Sequence, residues 1–145
     1  MNRINLICLG VKDMAVSLAF YRKLGFKTYT KENNPSIIFF DNEGTKLELF
    51  PLKELAKDIN GDAPPAVSSQ GFSGITLAIN VKSIEEVDNI FSKVVEAGGV
   101  IAKSPQKNTI WEGYSGYFTD PDGYYWEIAY GKDWKFDQNN MLIIE

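Results

Sequence analysis

The stretch Phe118-Thr119-Asp120-Pro121-Asp122-Gly123-Tyr124-Tyr125-Trp126-Glu127-Ile128 reads as a strand end, a tight turn and a second strand. Asp-Pro-Asp-Gly carries the residues a β-turn selects, with aromatic and β-branched residues on both flanks. The same order occurs earlier in the chain. Phe39, Asp41, Gly44, Glu48 and Leu49 correspond to Phe118, Asp120, Gly123, Glu127 and Ile128 at one constant offset of 79 residues. Val11-Lys12-Asp13 and Val81-Lys82-Ser83 correspond at an offset of 70, both where a strand passes into a helix. A shared order of elements, a shared turn and a shared glutamate point to an internal duplication.

Working outward, each half predicts a βαβββ unit. In the first, Ile4 to Val11 is a strand, and Asp13 caps a helix whose apolar positions are Met14, Leu18, Tyr21 and Leu24, ended by Gly25. Strands are expected over Phe26 to Thr30, Ser36 to Asp41 and Lys46 to Phe50. Leu52 to Ile59 is a short helix, and Asn60 to Gln70, with Gly61, Pro64 and Pro65, is an exposed linker. In the second half, Ser73 to Val81 is a strand. Ser83 with Glu86 forms a capping box for a helix with the stripe Ile84, Val87, Ile90, Phe91, Val94 and Val95. Val100 to Ser104, Tyr114 to Thr119 and Tyr124 to Tyr130 complete the unit. The expected organisation is one α+β domain over 1–145: module one about 3–52, linker about 53–72, module two about 73–131 and a tail over 132–145.

The chain has 145 residues, 44% of them hydrophobic, enough for a real core. Its net charge of -4 argues against nucleic acid or an anionic membrane as a partner. No apolar run approaches the roughly 20 residues a membrane helix requires, and the N-terminus lacks a signal-peptide pattern, so a cytoplasmic location is expected. There is no histidine and a single cysteine, Cys8, which excludes an internal disulfide and any multi-cysteine zinc site.

Strand alternation divides the side chains between two faces. Ile7, Leu9 and Val11, and Ile75, Leu77, Ile79 and Val81, are aliphatic rows that should pack beneath helices. Leu6, Cys8 and Gly10, and Thr76, Ala78 and Asn80, should then face a ligand. In the last strands, Glu48 and Phe50, and Tyr125 and Glu127, share that side. Glu48 and Glu127 are thereby candidate acid/base groups, related by the repeat. Trp111 and Tyr114 lie in a segment dense in glycine and aromatics and are expected to flank a ligand. Cys8 has no histidine to activate it and reads as a small hydrophobe. Phe40 and Trp134 are further aromatic wall candidates that taken singly read as core.

The duplicated unit, Val11-Lys12-Asp13-Met14 leading to Phe20-Tyr21 and Leu24-Gly25-Phe26, and Asp120 through Glu127 resemble the vicinal oxygen chelate superfamily. That superfamily contains glyoxalase I, fosfomycin-resistance thiol transferases, extradiol dioxygenases and bleomycin-resistance proteins. The resemblance implies two βαβββ modules forming a glyoxalase-like half-barrel pair, with a small-molecule cavity between the modules. It also implies a homodimer. Members that use a metal hold it with one residue from each first strand, usually His or Gln, and a Glu from each last strand. The matching positions here are Leu6, Glu48, Thr76 and Glu127. Leu6 offers no donor atom and Thr76 a neutral hydroxyl, so no catalytic metal or other cofactor is expected. A weakly held divalent ion on the two glutamates is the one metal site the residues leave open. The resemblance therefore implies binding of a small organic molecule, as in the bleomycin-resistance members. Its alternative is a lyase or isomerase using Glu48 and Glu127 as acid/base groups or weak metal ligands. The apolar tail run Met141-Leu142-Ile143-Ile144 should dock on its own domain or on a second subunit.

Overall fold

The computed structural model of the chain describes residues 2–68 and 71–144. Two compact units are present, Met1–Gly74 and Ile75–Glu145.

In the first unit, β1 (Leu6–Val11) lies parallel to β3 (Lys46–Pro51), which lies antiparallel to the short β2 (Ile38–Phe40), in the order β1-β3-β2. α1 (Met14–Leu24) begins at Asp13, whose carboxylate accepts the Val16 amide at 3.0 Å. It ends at Gly25, in the left-handed conformation that closes many helices. α1 buries Leu18, Phe20 and Tyr21 over Leu9, Val11, Ile38, Phe40, Leu47 and Leu49. The rings of Tyr21, Phe26 and Phe40 meet edge-on or tilted at 5.3 to 5.6 Å, so Phe40 is core and not a ligand wall. α2 (Leu52–Ile59) follows β3 with the expected bounds.

The expected strand Phe26 to Thr30 does not form. Arg22 donates to the carbonyl of Thr30 at 2.7 Å, and the Thr28 hydroxyl donates to the Phe39 carbonyl at 2.8 Å. Both carbonyls are thus taken by side chains, and one backbone bond, the Asp41 amide donating to the Lys27 carbonyl at 2.7 Å, joins the Thr28 hydroxyl in linking the segment to the β2 end.

The second unit has four strands, in the order β4-β7-β6-β5. β4 (Thr76–Val81) is parallel to β7 (Tyr125–Gly131), and β6 (Gly113–Thr119) is antiparallel to both β7 and β5 (Val100–Lys107). α3 (Ile84–Ala97) shows the capping box: the Ser83 hydroxyl accepts the Glu86 amide at 3.1 Å, and the Glu86 carboxylate accepts the Lys82 amide at 2.9 Å. Val87, Phe91 and Val94 of α3 are buried, as are Phe118, Trp126 and Ile128 of the sheet face beneath them. Phe91 meets Phe118 edge-on at 6.1 Å.

The repeat is displaced by one residue in the strand ladders. Glu48 pairs with Phe39, whereas Glu127 pairs with Tyr117 and not with Phe118. A one-residue slip reverses faces. Phe39 is accordingly 52% exposed while its sequence counterpart Phe118 is fully buried. The turns differ to match. Asp120 is 3% exposed and accepts the amides of Asp122 and Tyr124, whereas the exposed Asp41 accepts the Tyr29 hydroxyl.

Candidate functional site

Each unit has one sheet face packed beneath a helix and an opposite face that carries its glutamate. In the first unit that opposite face holds Leu6, Cys8 and Gly10 of β1 beside Lys46, Glu48 and Phe50 of β3, with Phe39 of β2 next to Glu48. Cys8 and Glu48 are direct cross-strand neighbours. Burial, then the Glu48 charge and hydrogen bonding to its carboxylate, push the Cys8 thiol up to about 11. Cys8 is therefore a protonated donor at neutral pH and not an activated nucleophile. Leu52 of α2 closes over Gly10, covering one end of the row.

In the second unit, the glutamate face holds Thr76, Ala78 and Asn80 of β4, Tyr125, Glu127 and Ala129 of β7, and Ser115, Tyr117 and Thr119 of β6. One cross-strand row carries most of its chemistry. Lys103 of β5, Tyr117 and Glu127 stand side by side with Ala78. Tyr117 is the direct cross-strand neighbour of Glu127, and the Lys103 ammonium lies 5.9 Å from the centre of the Tyr117 ring. Burial first, then hydrogen bonding to Glu127 and its charge, raise the Tyr117 hydroxyl above the usual phenol range. The phenol thus stands between a cation over its ring and a carboxylate beside it.

The sequence positions divide accordingly. Thr76, Asn80, Tyr125 and Glu127 share one face of the second unit, and Leu6, Cys8, Glu48 and Phe50 share one face of the first. Tyr114 is corrected: it is on the helix side of its sheet, and its hydroxyl donates to Asp88 of α3 at 3.0 Å. Trp111 and Tyr114 do not form a pair. Trp111 instead stacks on Trp134, with ring centres 5.4 Å apart and planes 15° from parallel. Tyr117 and Lys103 were not singled out from sequence. The repeat sets Phe118 opposite Glu127, so the one-residue slip of β6 hides Tyr117, and the irregular register of β5 hides Lys103.

A catalytic transition metal does not fit the four family positions. Leu6 has no donor and is 41% exposed, and Thr76 is a neutral exposed hydroxyl. Among the described residues, no group of three or more His, Cys, Asp or Glu side chains is arranged to hold a metal ion. No helix among the described residues is long and apolar enough to cross a membrane.

Comparison with known proteins gives a consistent picture. Residues 3–128 match the family model of the Glyoxalase/Bleomycin resistance protein/Dioxygenase superfamily. The uncharacterized protein YraH of Bacillus subtilis (strain 168) is 30% identical over 117 residues, covering 80% of this chain and 88% of YraH. The metallothiol transferase FosB of Lysinibacillus sphaericus (strain C3-41) is 30% identical over 129 residues, covering 88% of this chain and 82% of FosB. Among solved structures, a glyoxalase-related enzyme from Fulvimarina pelagi superposes with a TM-score of 0.86 at 30% identity, over 99% of both chains. A lactoylglutathione lyase from Agrobacterium tumefaciens superposes with a TM-score of 0.68 at 22% identity, over 94% of this chain and 99% of that one, a likeness of fold.

Proposed function

The chain belongs to the glyoxalase/bleomycin resistance/dioxygenase superfamily, and from that premise we propose that it binds a small organic molecule on the Glu127 face without a resident catalytic metal. The observation that carries this reading is the row Lys103–Tyr117–Glu127. A carboxylate offers about four lone-pair positions. Even with Tyr117 taking one of them, Glu127 retains capacity for a hydroxyl or ammonium group of a ligand. Asn80 and Thr76 on the neighbouring strand add an amide and a hydroxyl. The ligand class that suits this set is a small molecule bearing a cation or several hydroxyls. The names of FosB and the Agrobacterium lyase describe those proteins; here Leu6 and Thr76 occupy family metal positions without the donors a transition metal needs.

A second reading is a lyase or isomerase reaction in which Glu127 moves a proton, with Glu48 as its counterpart in the repeat. The Tyr117–Glu127 cross-strand pair favours it, since a phenol beside a carboxylate can relay a proton. It would show as product formation from the bound compound; the binding reading yields the compound back unchanged.

Melting curves recorded with cationic antibiotics, hydroxy acids and glutathione conjugates test the proposal. A compound at about one hundred times its Kd should raise Tm by roughly 5–10 °C. Glu127→Gln and Tyr117→Phe should each remove most of that rise, while the exposed Glu96→Gln keeps it. No shift from any class, or a full shift retained in Glu127→Gln, would overturn the proposal.

A further inference from the structure

The C-terminal segment forms a small hairpin with its own anchors. Phe136 and Leu142 bridge antiparallel, the Ile143 amide donates to the Lys135 carbonyl at 2.9 Å, and the Asp137 carboxylate accepts the amides of Asn139 and Met141. Asn140 takes the left-handed backbone that an Asn tolerates in such a turn. Lys82, just before α3, holds the hairpin from outside: its ammonium donates to Asn140 Oδ1 at 2.6 Å and sits 5.6 Å from the centre of the Phe136 ring.

From this base Trp134 reaches the 108–112 loop. That loop has little apolar anchorage of its own, since Ile110 at its tip is 92% exposed. Within itself the loop is held by the Asn108 amide on the Gly113 carbonyl, the Gly113 amide on the Trp111 carbonyl and the Ile110 amide on the Asn108 side chain. What ties it to the C-terminal segment is Trp111, stacked on Trp134, together with the Lys132 amide donating to the Glu112 carbonyl and the Lys132–Glu112 ion pair at 3.6 Å. The seat for both indoles is a cross-strand glycine pair, Gly113 and Gly131. A Cβ at Gly113 would lie 1.6 Å from the Trp111 ring, and one at Gly131 would lie 2.5 Å from the Trp134 ring. Only glycine admits this approach. By alternation, Gly113 and Gly131 are on the same sheet face as Tyr117 and Glu127, about 13 Å along β7 from the carboxylate.

We infer that Trp134 is a positioning residue: the C-terminal hairpin clamps the 108–112 loop through the Trp111–Trp134 stack and so sets the aromatic wall at one end of the Glu127 face. The clamp stands on these contacts alone; its bearing on ligands rests on the proposed function. It extends the ligand class to molecules that join a planar ring to a cationic or hydroxyl-bearing group.

Two readouts on the intact chain test it. Amide hydrogen exchange at residues 110–113 should quicken about tenfold in Trp134→Ala and in Gly131→Ala, the upper end expected for losing a stacked pair. Trp134→Phe should stay within about twofold of the wild type, and the β7 amides of Trp126 to Ala129 should not change. Unchanged loop exchange, or a uniform rise through β5, β6 and β7 as for a plain core residue, would overturn the inference. In the second readout, ethidium, a planar aromatic cation, should bind Trp134→Ala about tenfold more weakly than wild type and recover in Trp134→Phe. A loosened loop with unchanged ethidium affinity would overturn the role in the site. Failure of the wild type to bind ethidium would contradict the extended ligand class, with the clamp still decided by the exchange result.

Discussion

Cys8 and Glu48 show how a side chain's neighbours set its chemistry. Strand alternation put both on one face, but their contact depends on the parallel register of β1 and β3, which joins residues forty positions apart. The thiol at about 11 has a sign-definite consequence. Its folded value lies above the unfolded one, so its proton-linked stabilisation is complete below about pH 9 and is lost as pH rises through about 11. Iodoacetamide reacts with the thiolate, so the alkylation rate of the native protein should rise with a midpoint near 11, about two pH units above an ordinary thiol. Glu48→Gln removes the repelling charge and leaves only a neutral amide oxygen as acceptor, and should move that midpoint down. A native midpoint near 9 would contradict the contact. Tyr117 was hidden from the sequence for a related reason: the repeat sets Phe118 opposite Glu127, and only the one-residue slip of the β6–β7 ladder brings Tyr117 there instead.

At the level of elements, local signals carried far. Asp13, Gly25, Ser83, Glu86 and Gly98 mark helix ends because caps satisfy backbone groups with residues only a few positions away. Ser83→Ala should therefore cost about 1 kcal/mol, read as a lower urea midpoint with unchanged slope. A cost near zero would mean the Glu86 carboxylate alone holds the first turn. Strands were less legible. Phe26 to Thr30 has strand composition but loses its ladder to Arg22 and Thr28, partners no local pattern reveals. β5 runs on to Lys107 through Pro105 because register shifts between Ile101 and Gln106 absorb a residue that cannot donate to a ladder. Those shifts, with Lys103 and Lys107, also make this edge of the sheet a poor template for pairing with another chain.

For the whole molecule, the duplication was the legible feature, and it led to the superfamily that residues 3–128 match. Less legible was how far the two copies have diverged. The one-residue difference in ladder register turns Phe39 and Phe118 to opposite faces and sets Phe39 beside Glu48 but Tyr117 beside Glu127, while on the parallel side Glu48 has Cys8 where Glu127 has Ala78. As proposed, the chain handles its ligand through its own side chains and no resident metal. Elemental analysis of the protein purified without added metal should find zinc, nickel, manganese and iron far below one ion per chain; a stoichiometric amount of any of them, retained through dialysis, would contradict the metal-free site.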